Sequence, residues 1–362
     1  MILRRHNEKS LKLAGYCILS TIVDDLLATG TTENLEYVLK SVQGKVKKLT
    51  YQWDPESFAG FEMRQCELTG ALTVSVGTKV QEYAFILDVK EGKRESITKA
   101  EWDELKLQGD QEEELSVEQR LVRSATGALG WLADIYLDAK PFAHRLQRVS
   151  RAPPPIALTV HKKVAANLMC NIHAGITFPK GGPAVPVAPV LRLDGAAPTE
   201  LQIVYDATWM DGKEASVWQA AFTYNGAAFA TATGTITPVN LSSADAESYA
   251  LSMALARGTL YRNVLTSMGS APATSTTVWG DNSAVVGIAD NSQSASGMRH
   301  IMRRIKHVQE LVSTGDFTSR HVADKHNVVD FFGKYVSGRK AEQSTAYLMN
   351  KGMQVVKETK GE

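Results

Sequence analysis

Leu201-Gln-Ile-Val-Tyr-Asp206 is a short apolar run, rich in β-formers, that ends on an acid. It reads as a strand, and its neighbours fix what kind of sheet it belongs to. Ser216–Tyr224 and Ala227–Ile236 read as two more strands, joined by Asn225-Gly226, a pair suited to a tight hairpin turn. Ser243–Ser267 follows as a long helix, with Ala246, Ala250, Met253, Ala254, Tyr261, Val264 and Leu265 as its apolar positions. Thr276–Gly280 is a short strand, and Asp281 opens another helix. Gly297–Thr314 is amphipathic, with Met298, Ile301, Met302, Ile305, Val308 and Val312 on one stripe. Phe317–Val322 is a strand and Val328–Val336 a final helix. The order β-β-β-α-β-α-α-β-α predicts an α/β (α+β) unit: a mixed five-stranded sheet with flanking helices.

Four acids recur at element ends in this unit. Asp206 closes the first strand, Glu247 sits early in the long helix, Asp281 follows the fourth strand, and Asp330 opens the last helix. In an α/β sheet, such ends converge on one edge. Gathered carboxylates repel one another, and divalent cations that favour oxygen ligands, Mg²⁺ or Mn²⁺, relieve that repulsion. Two such ions can clamp the attacking and leaving oxygens of a phosphodiester displacement. Each acid alone also reads as a helix cap or a surface group: Asp281-Asn282 as a cap, and Asp330 as a helix-start acid with Asn327 as its cap. Their joint order is what favours a metal site.

The segments carrying these acids resemble the ribonuclease H domain of copia-type retrotransposon polyproteins. Ile203-Val-Tyr-Asp-Ala-Thr-Trp209 resembles the family's Tyr-x-Asp-Ala-Asp-Trp start. Leu241-Ser-Ser-Ala-Asp-Ala-Glu-Ser-Tyr-Ala-Leu251 resembles Leu-Ser-Ser-Thr-Glu-Ala-Glu-Tyr. Val278-Trp-Gly-Asp-Asn-Ser-Ala284 resembles Asp-Asn-x-Ser-Ala, and Met298-Arg-His-Ile301 resembles Lys-His-Ile. Asn327-Val-Val-Asp-Phe-Phe-Gly-Lys334 resembles Gln-x-Ala-Asp-x-Leu-Thr-Lys. The resemblance covers residues 200–337 and implies Asp206, Glu247, Asp281 and Asp330 as catalytic metal ligands for two Mg²⁺ (or Mn²⁺) ions. It implies a ribonuclease H-like fold and hydrolysis of the RNA strand of an RNA–DNA hybrid. Two departures stand out: Thr208 replaces the second Asp of Asp-Ala-Asp, and one extra residue separates Glu247 from Tyr249. Cellular relatives use a mobile histidine near the last Asp, for which His321 and His326 are the candidates.

Farther upstream, Ile22-Val-Asp-Asp-Leu26 resembles the Tyr-Val-Asp-Asp motif of reverse transcriptases. Ala59-Gly-Phe-Glu-Met-Arg64 resembles Leu-Gly-Ile-Glu-Ile-x-Arg of the same family. Arg123-Ser-Ala-Thr-Gly-Ala-Leu-Gly-Trp-Leu-Ala133 resembles its segment near the thumb. Asp24 and Asp25 then read as a vestigial polymerase metal site. The 23 residues before Asp24 contain no Asp, so the expectation is that this chain does not polymerise alone.

Strands are expected at Gly15–Val23, Ala71–Val76 and Tyr83–Val89, and a helix over Glu33–Val42. Residues 118–172 read as helices, with Leu121, Ala125, Leu129 and Leu132 on one stripe, a second helix after Pro141, and a third over Leu158–Cys170. The expected organisation is a truncated palm remnant (1–100), an acidic linker with thumb-like helices (101–175), a Pro/Gly-rich linker (176–199), the nuclease-like unit (200–345) and a polar tail (346–362).

The net charge of +1 conceals opposed regions: 101–118 carries eight acids against one base, and 293–340 nine bases against four acids. Arg299, Arg303 and Lys306 share one helical face and are candidate contacts for nucleic-acid phosphates, which bind cations without sequence preference. A solvated helix face is the competing reading. The partners implied are an RNA–DNA hybrid and the upstream part of a retroelement polyprotein. Cys17, Cys66 and Cys170 form no CxxC pair, which argues against a disulfide scaffold or a cysteine zinc site. No apolar run approaches a membrane span and the start lacks a signal-peptide core, so the expectation is an intracellular, non-secreted protein without membrane contact. The second functional reading is an inactive retroelement fragment that binds nucleic acid without cleaving it.

Overall fold

The computed structural model describes residues 2–6, 13–22, 25–45, 49–106, 114–178, 201–210 and 215–350; for 2–6, 13–17, 19–22, 25 and 296–298 it describes the backbone alone. Asp24, most of the Pro/Gly-rich linker and the last twelve residues lie outside the described residues.

The N-terminal part begins with β1 (Ile2–His6), β2 (Leu13–Ile22) and β3 (Asp25–Gly30), an antiparallel sheet in which Ile22 pairs with Asp25. Helix α1 (Thr32–Gln43) follows, capped by the Thr31 side chain. A second antiparallel sheet comprises β4 (Ser57–Phe58), β5 (Phe61–Gln65), β6 (Leu72–Ser75) and the distant β7 (Ile176–Phe178). Between β6 and β7 lie α2 (Gly77–Ile86), α3 (Lys99–Glu104), α4 (Val117–Leu132), α5 (Lys140–Val149) and α6 (Ile156–Cys170).

Three local expectations fail here. Tyr83–Val89 is not a strand: Val80, Tyr83, Ala84 and Leu87 are all buried, and their three- and four-residue spacing puts them on the inner face of α2 and its C-terminal cap. The acidic stretch is not simply linker: its start lies in α3, and Trp102 and Leu105 are buried. Ile176–Phe178 is strand rather than linker, its Ile176 pairing with Val74 of β6. The core of this part gathers apolar side chains of α2, α4, α5 and α6. Within it His161 bridges Tyr83 (Nδ1 to Oη, 2.6 Å) and Thr126 (Nε2 to Oγ1, 3.0 Å).

The C-terminal part has the mixed five-stranded sheet read from the sequence. Its strands are β8 (Leu201–Thr208), β9 (Val217–Tyr224), β10 (Ala227–Thr235), β11 (Thr276–Gly280) and β12 (Phe317–His321), in the order β10-β9-β8-β11-β12. The first three pair antiparallel, whereas β8–β11 and β11–β12 are parallel. Asn225 (φ 48°) and Gly226 (φ 79°) are both left-handed, as the tight β9–β10 hairpin requires. Helix α7 (Ser243–Ser267) covers one face, joined by α8 (Ser283–Ala289) and α9 (Met302–Ser313). Gly258 lets α7 approach the sheet, since a Cβ there would lie 2.6 Å from Ile203 Cδ1.

The other sheet face is covered by α10 (Asp330–Gly333) and α11 (Gly338–Leu348), together with Leu137 and Ile176 of the N-terminal part. The expected final helix is therefore one turn followed by a second helix, and Tyr347, Leu348 and Met349 of the expected polar tail are buried. The Tyr335 hydroxyl donates to the Ile97 carbonyl at 3.0 Å, tying the two parts together. No helix of the described residues is long and apolar enough to cross a membrane.

Candidate active site

Parallel pairing of β8 and β11 aligns Trp279 with Val204, so Asp281, just past β11, comes level with Asp206 at the same sheet edge. The short α10 brings Asp330 to that edge. Carboxylate oxygens of Asp206, Asp281 and Asp330 lie within 4.8 Å of one another. Glu247 comes from the second turn of α7, whose start is capped by Ser242. It lines the same cleft, about 550 Å³ in volume, with Asp206, Asp281 and Lys334.

Each carboxylate is held by a different partner. Gln219 of β9, directly opposite Asp206 in the ladder, donates Nε2 to Asp206 Oδ2 at 2.5 Å. The Ala207 backbone N–H donates to Glu247 Oε1 at 3.2 Å. Asn327 Nδ2 donates to Asp281 Oδ2 at 3.2 Å and to the Tyr205 carbonyl at 3.2 Å. Asp330 meets two amines: Lys334 Nζ at 2.5 Å and, on its other oxygen, Lys340. Lys334 Nζ also stands 3.4 Å from Asp206 Oδ2.

The electrostatics follow from burial. Asp206 is 0% exposed, and burial followed by the Glu247 charge pushes its carboxyl well above the usual range. Burial and the Asp281 charge push Glu247 up to about 8. Burial also raises Asp281, against the pull of its Asn327 hydrogen bond. For Asp330 burial acts upward too, but its hydrogen bond with Asp206 and the two lysines outweigh it and hold it low. Burial weakens the Lys334 ammonium, yet Asp206 and Asp330 more than compensate, so it stays charged.

The residues fit a divalent cation. The donor set is all carboxylate oxygen, which suits Mg²⁺ or Mn²⁺. Asp206 Oδ1 and Glu247 Oε2 are buried with no hydrogen-bond partner, which is costly for acceptors unless something cationic meets them. Thr208, which departs from the Asp-Ala-Asp pattern, is buried against Gln219 (3.5 Å).

Other sequence candidates fall elsewhere. His321 is exposed, with Nε2 3.1 Å from the Asp281 carbonyl; His326 sits in a single 3₁₀ turn before Asp330. Neither lines the cleft. Arg299 belongs to a 3₁₀ segment, Ser296–Ile301, so it does not continue the α9 face that carries Arg303 and Lys306. That face is exposed at both residues. The segment is pinned instead by His300, whose Nε2 lies 2.8 Å from buried Asp245 Oδ2. Asp25 opens β3, in the three-stranded N-terminal sheet rather than the sheet that carries the carboxylate cluster. Sequence reasoning missed Gln219 and the two lysines. The four-residue spacing of Asp330 and Lys334 was a readable signal for one of them, whereas Gln219 had none beyond its ladder position.

No family model matches the chain, and no curated protein matches it. Several solved structures are similar. Ribonuclease H1 from Halobacterium salinarum NRC-1 is 16% identical, with a TM-score of 0.28, over 35% of this chain and 89% of that one. The N-terminal ribonuclease H domain of rv2228c from Mycobacterium tuberculosis, solved as a fusion protein with maltose binding protein, is 16% identical, with a TM-score of 0.29, over 41% of this chain and 96% of that one. The foamy viral protease-reverse transcriptase in complex with RNA/DNA hybrid is 10% identical, with a TM-score of 0.37, over 88% of this chain and 37% of that one.

Proposed function

We propose that this chain is a divalent-metal-dependent nuclease of ribonuclease H type that hydrolyses the RNA strand of RNA–DNA hybrids, and that it derives from a copia-type retroelement polyprotein. The observation that carries the reading is the meeting of Asp206, Asp281 and Asp330, from three separate elements, within 4.8 Å, with Glu247 in the same cleft. The substrate class rests on the motif resemblance across 200–337.

Asp206, Glu247, Asp281 and Asp330 would hold two Mg²⁺ or Mn²⁺ ions. Bound there, such ions supply Lewis-acid stabilisation of the attacking and departing oxygens of a phosphodiester. The protein's own contribution is preorganisation. Gln219, Asn327 and the Ala207 N–H fix the aim of three carboxylates before substrate arrives. Glu247 must give up the proton that burial favours, so cation uptake releases a proton from the site. Exposed Arg303 and Lys306 supply positive charge for backbone phosphates.

The test is a hybrid labelled on each strand in turn. Mg²⁺-dependent cleavage of the RNA strand, giving 5′-phosphate ends and abolished by chelation, is the expected result. Cleavage that persists in chelator, or that falls on the DNA strand, would overturn the reading.

A further inference from the structure

A second polar pocket lies away from the carboxylates, between α4, α5, the edge strand β10 and α7. Its volume is about 220 Å³, and its polar walls are Lys140, His144, Gln147, Thr231, Thr233 and Arg257. Small residues, Gly130 and Ala143 among them, make the space. Gly130 cannot be larger without displacing the pocket wall, because a Cβ there would lie 2.5 Å from Gln147 Nε2.

Two of the buried wall groups lack partners. His144 is only 9% exposed, and among the described residues no hydrogen bond reaches its ring. Thr233 Oγ1 is buried and unpaired. Arg257 forms no ion pair among the described residues, while Lys140 is bonded to Asp134. Buried polar groups normally find a partner, so the His144 ring and Thr233 Oγ1, both lining one hole beside the exposed Gln147 and Arg257, mark a place for a polar ligand.

We propose that this pocket binds the tetrahedral oxyanion of a phosphate group. The sign follows from the lining, which holds two cations, Lys140 and Arg257, and no acid, although Asp134, not itself in the lining, pairs with Lys140. Burial, with the positive charges of Arg148, Lys140 and Arg145, pulls His144 down to about 4. The imidazole is therefore neutral near pH 7, offering one N–H without a charge of its own. The choice of phosphate follows from the number of donors. Two threonine hydroxyls, an amide, an imidazole, an ammonium and a guanidinium line the space, more than the two oxygens of a carboxylate accept and closer to what the oxygens of a phosphate can take.

The pocket stands in register with the carboxylate cluster. Thr233 pairs with Gln219, and Gln219 pairs with Asp206. Directly opposed residues share a sheet face, so the two sites lie two strand spacings, roughly 10 Å, apart. The phosphate is either a free ion or a backbone phosphate of a nucleic acid; the chemistry is the same.

Calorimetric titration of the full chain with inorganic phosphate, at fixed ionic strength, tests the site. One saturable event is expected, weakened at least tenfold in Arg257→Gln and in Thr233→Val. Lys162→Gln, at an exposed position of α6, should leave it unchanged. A second arm titrates a short DNA oligonucleotide. Competition by phosphate, lost in Arg257→Gln, assigns the pocket to backbone phosphates; absence of competition assigns it to the free ion. Absence of saturable phosphate binding, or equal binding by Arg257→Gln with an unchanged melting curve, would overturn the proposal. Because no cleavage is read, the outcome is independent of the nuclease reading.

Discussion

Replacing Lys334 by Met should make the carboxylate site bind Mg²⁺ more tightly and the metal-free protein less stable. The ammonium sits 2.5 Å from Asp330 Oδ1 and 3.4 Å from Asp206 Oδ2, among the groups a divalent cation would contact. A cation entering there must first break these pairs. The Lys334 side chain is 41% exposed, so solvent screens the interaction and its full Coulomb energy does not apply. Exposed pairs contribute up to about 1 kcal/mol, and the second contact with a buried acid raises the sum to about 1–2 kcal/mol. At 1.4 kcal/mol per factor of ten, the variant should bind Mg²⁺ about 5- to 30-fold more tightly. In the absence of metal it should lose a similar 1–2 kcal/mol, roughly, because Asp330 keeps only Lys340 as a cationic partner. Titration calorimetry at constant ionic strength reads the first effect, and denaturant unfolding in chelator the second. Unchanged or weaker Mg²⁺ binding by Lys334→Met would refute the idea that the ammonium competes with the metal.

Three further outcomes are expected. His161 is pulled down to about 4 by burial, so the native state binds fewer protons than the unfolded chain between about pH 4 and 6.5. Its contribution to stability is complete above 6.5 and is lost as pH falls toward 4, by up to about 3 kcal/mol, and His161→Gln should flatten that part of an unfolding-versus-pH curve. Gly258→Ala should destabilise by about 1–3 kcal/mol through overpacking, since its Cβ would press on Ile203 and Phe317; a melting curve reads this. Arg303→Gln with Lys306→Gln should weaken hybrid binding and reduce the slope of log affinity against log salt, if α9 contacts phosphates; an unchanged slope would remove it from the interface.

Much of the C-terminal part was legible because its signals are local. Alternating and apolar runs mark the strands, Asn225-Gly226 fixes one hairpin, and the acids fall at element ends. Tyr83–Val89 misled because a short apolar run suits a strand or a buried helix equally, and burial of Val80, Tyr83, Ala84 and Leu87 decides it only in three dimensions. The tail misled for a related reason: Tyr347 and Leu348 end a polar helix whose inner face is visible only against the sheet. At the site, the acids could be read from chain order. Gln219 could not, because its role comes from standing opposite Asp206 across a ladder. Lys340 reaches Asp330 from ten residues away, a contact no helical spacing announces.

The central claim is that Asp206, Glu247, Asp281 and Asp330 form one metal-dependent nuclease site. Its most direct test is the rate of cleavage of a labelled RNA–DNA hybrid in Mg²⁺ by the wild-type chain and by Asp281→Asn, with melting curves matched. Asp281 is the ligand least tied to the fold: it is partly exposed and keeps Asn327 as its neighbour. A loss of about a hundredfold or more in the variant is the expected result. Equal rates in the two proteins, or no cleavage by either, would contradict it.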